Sequence, residues 1–382
     1  MHRQLMLFYG VMAAVSAAEG IYLFFCIRRM LRFCGADVKK KKVFAANFAA
    51  AVFLAAAGFN FFRTGAVIVL HLVFAFLLTD FAFLPFRILW RRVKKPGKGA
   101  VFCRKIYQCG MIPVLSAALI FFYGWYNMNH IRQTSYQVKT EKQTKGCRIV
   151  LLTDVHYDTV QNADVIKSKT EEIRALRPDL VILGGDIVEE GTSKEKMQEI
   201  FRMLGGIESR YGVYYVYGNH DRQPYTASPS YTYMELEQAA VSAGIRILED
   251  EYVEIGEDIV LAGRSDAAWG ATRQRPSVEE ILTGADRDKF IIMADHQPVE
   301  AEENDAQGVD LLLSGHTHAG QIWPTGYLTE FSGALNYGEY QKGNCKVIVS
   351  SGVAGWKYTI RTGEHCEYVV ADVEGNVLAY GF

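Results

Sequence analysis

The sequence predicts two structural classes in one chain. An all-α domain of four transmembrane helices occupies residues 1–130, and a linker follows at 131–147. Residues 148–382 then form an α/β domain, an α+β sandwich of two mixed sheets with helices outside. Three observations predict this. Charge is partitioned: residues 1–138 hold 18 Lys+Arg and 3 Asp+Glu, and residues 139–382 hold 23 and 39, although the whole chain sums to −1. Long apolar runs are confined to the basic part. Short apolar runs alternate with helix-spaced segments in the acidic part, the pattern of buried strands covered by helices.

The basic part contains four apolar runs, at about Leu5–Ile27, Val43–Phe62, Ala66–Leu84 and Ile106–Tyr126. Each reaches the ~20 residues that cross a bilayer as helix. The first is too long for the apolar core of a signal peptide, and further runs follow it. Arg63-Thr64-Gly65 is the turn of a tight hairpin between the second and third. The first loop carries Arg28, Arg29, Arg32 and Lys39 to Lys42. The third carries Arg87, Arg91, Arg92, Lys94, Lys95, Lys98, Arg104 and Lys105, whereas the middle loop has only Arg63. Basic loops stay cytoplasmic, so both termini and the acidic domain are expected outside. Glu19, His71 and Asp80 fall in or near the spans, where an ionisable residue is a functional candidate by default.

In the acidic part, "RIVLLTD", "DLVILGGD" and "GVYYVYGNHD" are buried strands, separated by helical spacing over Ala163–Leu176 and Glu195–Leu204. "YVEIGEDIVLAGRSD" reads as a hairpin, and "KFIIMADHQP", "VDLLLSGHTH" and "KVIVSSG" as three more strands. The tail turns at Glu374-Gly375-Asn376 as a last hairpin. The polar linker is either an extended spacer or a first edge strand. The seven cysteines show no CxxC spacing, which argues against a zinc knuckle. A Cys345–Cys366 disulfide suits an oxidising compartment, and small buried thiols are the plainer reading.

The strands end alike. The first gives Asp154 and His156, the second Asp186, the third Asn219 and His220, a later one His296, and "GHTH" gives His316 and His318. Ligands of open α/β sheets bind outside the carboxyl ends of the strands, so these groups converge at one mouth. Gly184, Gly185, Gly218 and Gly315 precede them and allow the sharp stop. Five of the nine histidines lie at these ends, too many to be scattered surface or core residues. Imidazole, carboxylate and amide oxygen together suit first-row transition metals. The set exceeds what one tetrahedral ion takes and implies two ions sharing a bridge. Asp186, alone at its strand end, is the natural bridge.

These blocks, D-x-H, G-G-D, G-N-H-D, an isolated H and G-H-T-H in this order over about residues 148–352, resemble the calcineurin-like metallophosphoesterase superfamily. "GHTHAGQ" and "YGEYQKGN" followed by "VIVSSG" are similar to its bacterial membrane-anchored branch. The resemblance implies a four-layer αββα fold. It implies a first metal held by Asp154, His156 and His318, a second held by Asn219, His296 and His316, and Asp186 as bridge. His220 would be the acid that contacts the phosphate, and Asp221 would orient it. "IRTGEHCE" departs from the proline-rich turn of that branch.

The reading is a membrane-anchored, dinuclear metal-dependent phosphoesterase using Mn2+, Fe2+/3+ or Zn2+. Its expected partners are the bilayer and a phosphorylated small-molecule, lipid-linked or cell-envelope substrate. No nucleic acid is expected, because the acidic part has no Lys/Arg-rich run. The alternative is a non-enzymatic membrane sensor or scaffold that retains the fold.

Overall fold

The computed structural model describes residues 2–60, 63–92, 95, 97–161, 163–268 and 275–375. It divides into two compact units, Met1–Gly124 and Trp125–Phe382.

The first unit is helical: α1 (His2–Phe33), α2 (Lys41–Phe59), α3 (Thr64–Ala82), α4 (Leu84–Arg92), α5 (Lys98–Cys109) and the greater part of α6 (Met111–Met128). Among the described residues, four helices are long and apolar enough to cross a membrane: α1 from Tyr9, α2, α3 and α6. The predicted fourth span therefore starts later than expected. Gly110 adopts φ +69 and caps α5, so Ile106–Cys109 belong to a separate helix. Glu19 is buried against Gly58 of α2, and Asp80 accepts hydrogen bonds from Tyr22 and Arg29, tying α3 to α1. His71 is buried with Nδ1 2.8 Å from the Val67 carbonyl one turn back.

The second unit contains β1 (Arg132–Lys139), β2 (Cys147–Leu152), α7 (Ala163–Ala175), β3 (Leu180–Leu183), α8 (Lys194–Gly205), β4 (Val213–Tyr215), α9 (Tyr233–Ser242) and β5 (Ile245–Ile247). Then come β6 (Glu251–Ile255), β7 (Ile259–Gly263), α10 (Val278–Ile281), β8 (Phe290–Ala294), α11 (Ala301–Ala306), β9 (Leu311–Ser314), α12 (Thr325–Phe331), β10 (Gly338–Lys342), β11 (Cys345–Val349) and β12 (Glu367–Glu374). One six-stranded sheet has the order β1-β12-β2-β3-β4-β5, and the other β10-β11-β9-β8-β7-β6. Their facing sides make one core, with Leu151, Ile182, Leu261, Ile292, Leu313 and Ile348 at its centre. The outer face of the first sheet packs against α7, α8 and α9, and that of the second against α10 and α11. This is the αββα layering expected.

Local chemistry explains the helices. In α8, Met197, Ile200, Phe201 and Leu204 are buried at helical spacing, and the Ser193 hydroxyl caps the start. Thr232 and Glu235 form a capping box on α9, as Ser277 and Glu280 do on α10. Part of the expected linker is a strand: β1 pairs in parallel with β12 from Arg132↔Glu367 to Lys139↔Glu374. The second strand of the expected tail hairpin lies outside the described residues. Cys345 is in the outer core of the second sheet and Cys366 in that of the first, so they are separate buried thiols.

Candidate metal centre

Within each sheet the central strands, β2 to β4 in one and β7, β8 and β9 in the other, are parallel. The carboxyl ends of β2, β3, β4, β8 and β9 carry the candidate ligands. The chain beyond β2 stays laced to the chain beyond β3: Asp154 N donates to Gly185 O, and Val155 N and His156 N both donate to Asp186 O. Gly315 and Gly218 are glycine for steric reasons. A Cβ on Gly315 would collide with Thr153 and the Asp154 carboxylate, and one on Gly218 would collide with the Asp186 carboxylate.

Six of the predicted ligands fall into two close groups, and Glu189, Glu190 and His220 make a third cluster beside them. Asp154, His156 and His318 form the first, and Asp186, His296 and His316 the second, with the atoms of each within 4.8 Å. Asp186 connects them: its Oδ2 is 3.2 Å from His296 Nε2 and 3.9 Å from His156 Nε2. Its Oδ1 accepts the His220 N–H at 2.8 Å. His318 Nε2 lies 3.5 Å from Asp154 Oδ1. His296 Nδ1 is 2.8 Å from Gly184 O, which turns Nε2 inwards, and His318 Nδ1 is 3.2 Å from Ala354 O. Such carbonyl partners fix the tautomer of a metal-ligating imidazole.

The donor set fits metal ions. Nε2 of His156, Nε2 of His296 and Oδ1 of Asn219 are buried and make no well-formed hydrogen bond among the described residues. Most buried polar atoms in proteins are hydrogen-bonded, and imidazole nitrogen and amide oxygen are good ligands for divalent transition metals. Burial lowers the His316 imidazole and brings His318 to about 3, so both rings are neutral and offer lone pairs at neutral pH. Burial acts likewise on His156, but Glu189 and Asp186 outweigh it and raise that ring; Asp186 does the same to His296. Asp186 is held well below the usual carboxylate range against its own burial, chiefly by His296.

His220 belongs to neither group. Its Nδ1 is 2.7 Å from Glu190 Oε2, and its ring lies 5.0 Å from that of Tyr225 and 5.2 Å from that of Trp356. The expected partner, Asp221, does not touch the ring. Its carboxylate accepts backbone N–H bonds from Gly218, Asp186, Ile187 and Val188. The reason is geometric: the chain past β3 passes over Asp221 with its N–H groups pointing at it, so Asp221 ties two strand ends together and leaves Glu190 to orient the imidazole.

Sequence reasoning missed Glu189, Glu190 and Arg361. The signal for the first two was an acidic pair only three and four residues past Asp186. Glu189 Oε2 sits 3.3 Å from His156 Nδ1. Arg361, from the departing segment "IRTGEHCE", is fully buried and donates to the carbonyls of His318, Ser351 and Ala354. Gln321, unassigned in the sequence, clamps the Trp356–Ile360 loop: Nε2 donates to Tyr358 O and Ile360 O, and Oε1 accepts from Trp356 N.

Comparison with known proteins agrees with this geometry. An uncharacterized metallophosphoesterase of Helicobacter pylori is 32% identical over 225 residues, 58% of this chain and 58% of that protein. The chain thus matches little more than half the length of that relative. A second uncharacterized metallophosphoesterase, from Campylobacter jejuni, is 28% identical over 80% of this chain and 78% of its own. A zebrafish (Danio rerio) transmembrane protein with metallophosphoesterase domain is 32% identical over 49% of this chain and 43% of its own. Residues 147–320 match the family model for calcineurin-like phosphoesterase, and that stretch holds every candidate ligand together with Glu189, Glu190 and His220. With the candidate ligands at its strand ends, the stretch 147–320 is similar to the calcineurin-like phosphoesterases.

Proposed function

We propose that the protein is a membrane-anchored phosphoesterase that uses two divalent metal ions to hydrolyse a phosphoester or diphosphate, with its second unit outside the cytoplasm. The observation that carries the reading is the arrangement of two ligand groups joined by Asp186 beside a histidine that ligates neither. Asp154, His156 and His318 with Asp186 would hold one ion, and Asn219, His296 and His316 with Asp186 the other. When bound, such ions screen a phosphate's charge and make bound water nucleophilic at neutral pH.

The chain's own residues supply the rest. Glu190 on Nδ1 of His220 leaves Nε2 as the proton donor to the leaving oxygen, a role for which histidine suits neutral pH. Asp221, through four backbone N–H bonds, keeps the ends of β3 and β4 in register. Trp356 and Tyr225 flank the His220 ring and limit water at its faces. The basic loops support the outward orientation. The acidic second part disfavours long polyanions and leaves small or lipid-linked phosphates as the substrate class.

The test is metal-dependent hydrolysis of a chromogenic phosphomonoester or phosphodiester by the purified full-length protein in detergent. Chelation should abolish turnover, and Mn2+, Fe2+ or Zn2+ should restore it. Full activity in both His220→Ala and Asp186→Asn would sink the assignment. A protease-accessibility assay on intact cells reads the orientation.

A further inference from the structure

We propose that α12 is a membrane-seating element. Tyr327, Leu328 and Phe331 enter the headgroup–acyl boundary of the bilayer, and the loop cluster that carries them also supports His318 of the metal centre. This rests on the phosphoesterase reading above and deepens it by naming the substrate class: a phosphorylated lipid presented from the membrane plane.

The first observation is exposure. Tyr327, Leu328 and Phe331 are 66%, 65% and 94% exposed, on a helix that buries none of its residues. Clustered apolar side chains of this size mark an interaction surface. Trp323, at 39% exposure, precedes them. Trp and Tyr with Leu and Phe are the composition of the interfacial belt, where rings sit at headgroup depth.

The second observation is placement, all of it within the unit that begins at Trp125. The Trp323 N–H donates to Thr362 Oγ1 at 3.1 Å, and the Gly363 N–H donates to Gln321 O at 2.9 Å. The same turn holds the last turn of α6. Asn127 is fully buried, and its Nδ2 donates to Arg361 O at 3.2 Å and to Glu364 O at 3.1 Å. A Cβ built on Gly355 would lie 2.5 Å from both Gln321 Nε2 and Met128 Cε, so the end of α6 and the approach to α12 share one packing site. Residues 361–364 therefore clasp both the end of α6 and Trp323, two residues before α12. The bilayer is the occupant because the loop that holds the approach to α12 also holds Asn127 and Met128, the end of a helix apolar enough to cross a membrane; Trp125 and Tyr126 there are 54% and 41% exposed.

The third observation links this cluster to the chemistry. His318 lies three residues before Gln321, and Arg361 Nη2 donates to its carbonyl at 2.7 Å.

The test places the photoreactive residue p-benzoylphenylalanine at Tyr327 or Phe331 of the full-length protein in vesicles of phosphatidylcholine and phosphatidylglycerol. Glu257, whose side chain is 84% exposed at the turn before β7, is the control site. Irradiation should give lipid adducts at 327 and 331 and none at 257, read by mass spectrometry. Lipid adducts at 331 no more frequent than at 257 would overturn the proposal, as would crosslinks from 331 to a second copy or to another protein. Adduct formation needs no turnover, so this result stands or falls apart from the phosphoesterase reading. Supply from the membrane is read with Leu328→Asp/Phe331→Asp. It should retain wild-type turnover of a soluble chromogenic ester and lose about tenfold on phosphatidic acid in vesicles, because membrane seating concentrates the site at the lipid. Equal turnover of vesicle phosphatidic acid by variant and wild type would overturn the lipid-supply step.

Discussion

Glu190 Oε2 lies 2.7 Å from Nδ1 of His220, while Asp221, the acid adjacent to that histidine in sequence, bonds four backbone N–H groups instead. The residue that sets the tautomer of the proposed acid is therefore thirty positions away along the chain. Glu190 also accepts the Tyr225 N–H through Oε1, so it joins the imidazole to the rim.

Glu190→Ala should lower kcat by about 10- to 100-fold, the usual cost of removing an orienting partner. Metal content should stay at the wild-type level, since no ligand is lost. Glu190→Gln, which keeps a hydrogen bond without the charge, should recover part of the rate and shift the pH profile. Steady-state kinetics across a pH series, with metal analysis, checks this; wild-type kcat in Glu190→Ala would contradict the assignment.

Gly315→Ala should disable the metal centre with the sheets intact. The added methyl meets the side chains of Thr153 and Asp154, which are buried and held by hydrogen bonds to each other, to Gly184 O and to the His316 N–H. Metal affinity should fall by roughly 10- to 100-fold, comparable to the loss of a supporting group. Isothermal titration with Mn2+, with circular dichroism as the control for folding, reads the result.

Arg361→Met should destabilise the second unit by about 2–4 kcal/mol, since it strands buried carbonyls that now accept from the guanidinium. Those carbonyls belong to His318, Ser351 and Ala354, so metal binding should weaken in parallel. Thermal unfolding in detergent measures the first effect and Mn2+ titration the second. Unchanged values of both would show that the buried charge has no structural role.

Glu367 gives a pH dependence of definite sign. Burial pushes its carboxyl up from an ordinary 4.5, but His365, Thr134 and the Ser351 N–H outweigh it and hold the folded value below 4.5. Ser350 and Tyr337 complete the shell. A depressed folded pKa adds stability above the unfolded value, and that stability is lost as pH falls through the folded one. Wild type should therefore lose Tm below about pH 4.5 more steeply than Glu367→Gln. Parallel acid titrations of Tm in the two proteins would refute this cause.

Much of the fold and most of the centre were legible in the sequence, for identifiable reasons. A strand buried on both faces is a continuous apolar run, so the stops at Asp154, Asp186, Asn219, His296 and His316 stood out. Partners that reach across loops were not legible: nothing local says that Glu190 folds back over His220. Asp154, His156, Asp186, His316 and His318 all have positive φ, between 42 and 70. Side chains other than glycine rarely adopt this region, and it is tolerated where a site over-determines the backbone. Only glycine advertises such a turn in sequence. Hydropathy carried the fourth span back through Ile106 because it cannot see that Gly110 breaks the helix. "RQTSYQVK" remained ambiguous because an edge strand buries little; in β1 only Val138 is buried.

The sheet order β1-β12-β2 has a consequence in time. Arg132 pairs with Glu367, and Leu151 with Val369, so the strand made after all the other described strands sits between the two made earliest. During synthesis β1 and β2 emerge with an empty slot between them, each presenting an unpaired edge. The first sheet closes only when β12 arrives, a contact of very long sequence separation and a slow one to form. A chain cut short anywhere before Glu367 is left with both edges open, so the arrival of β12 is the moment at which this domain becomes safe from aggregation.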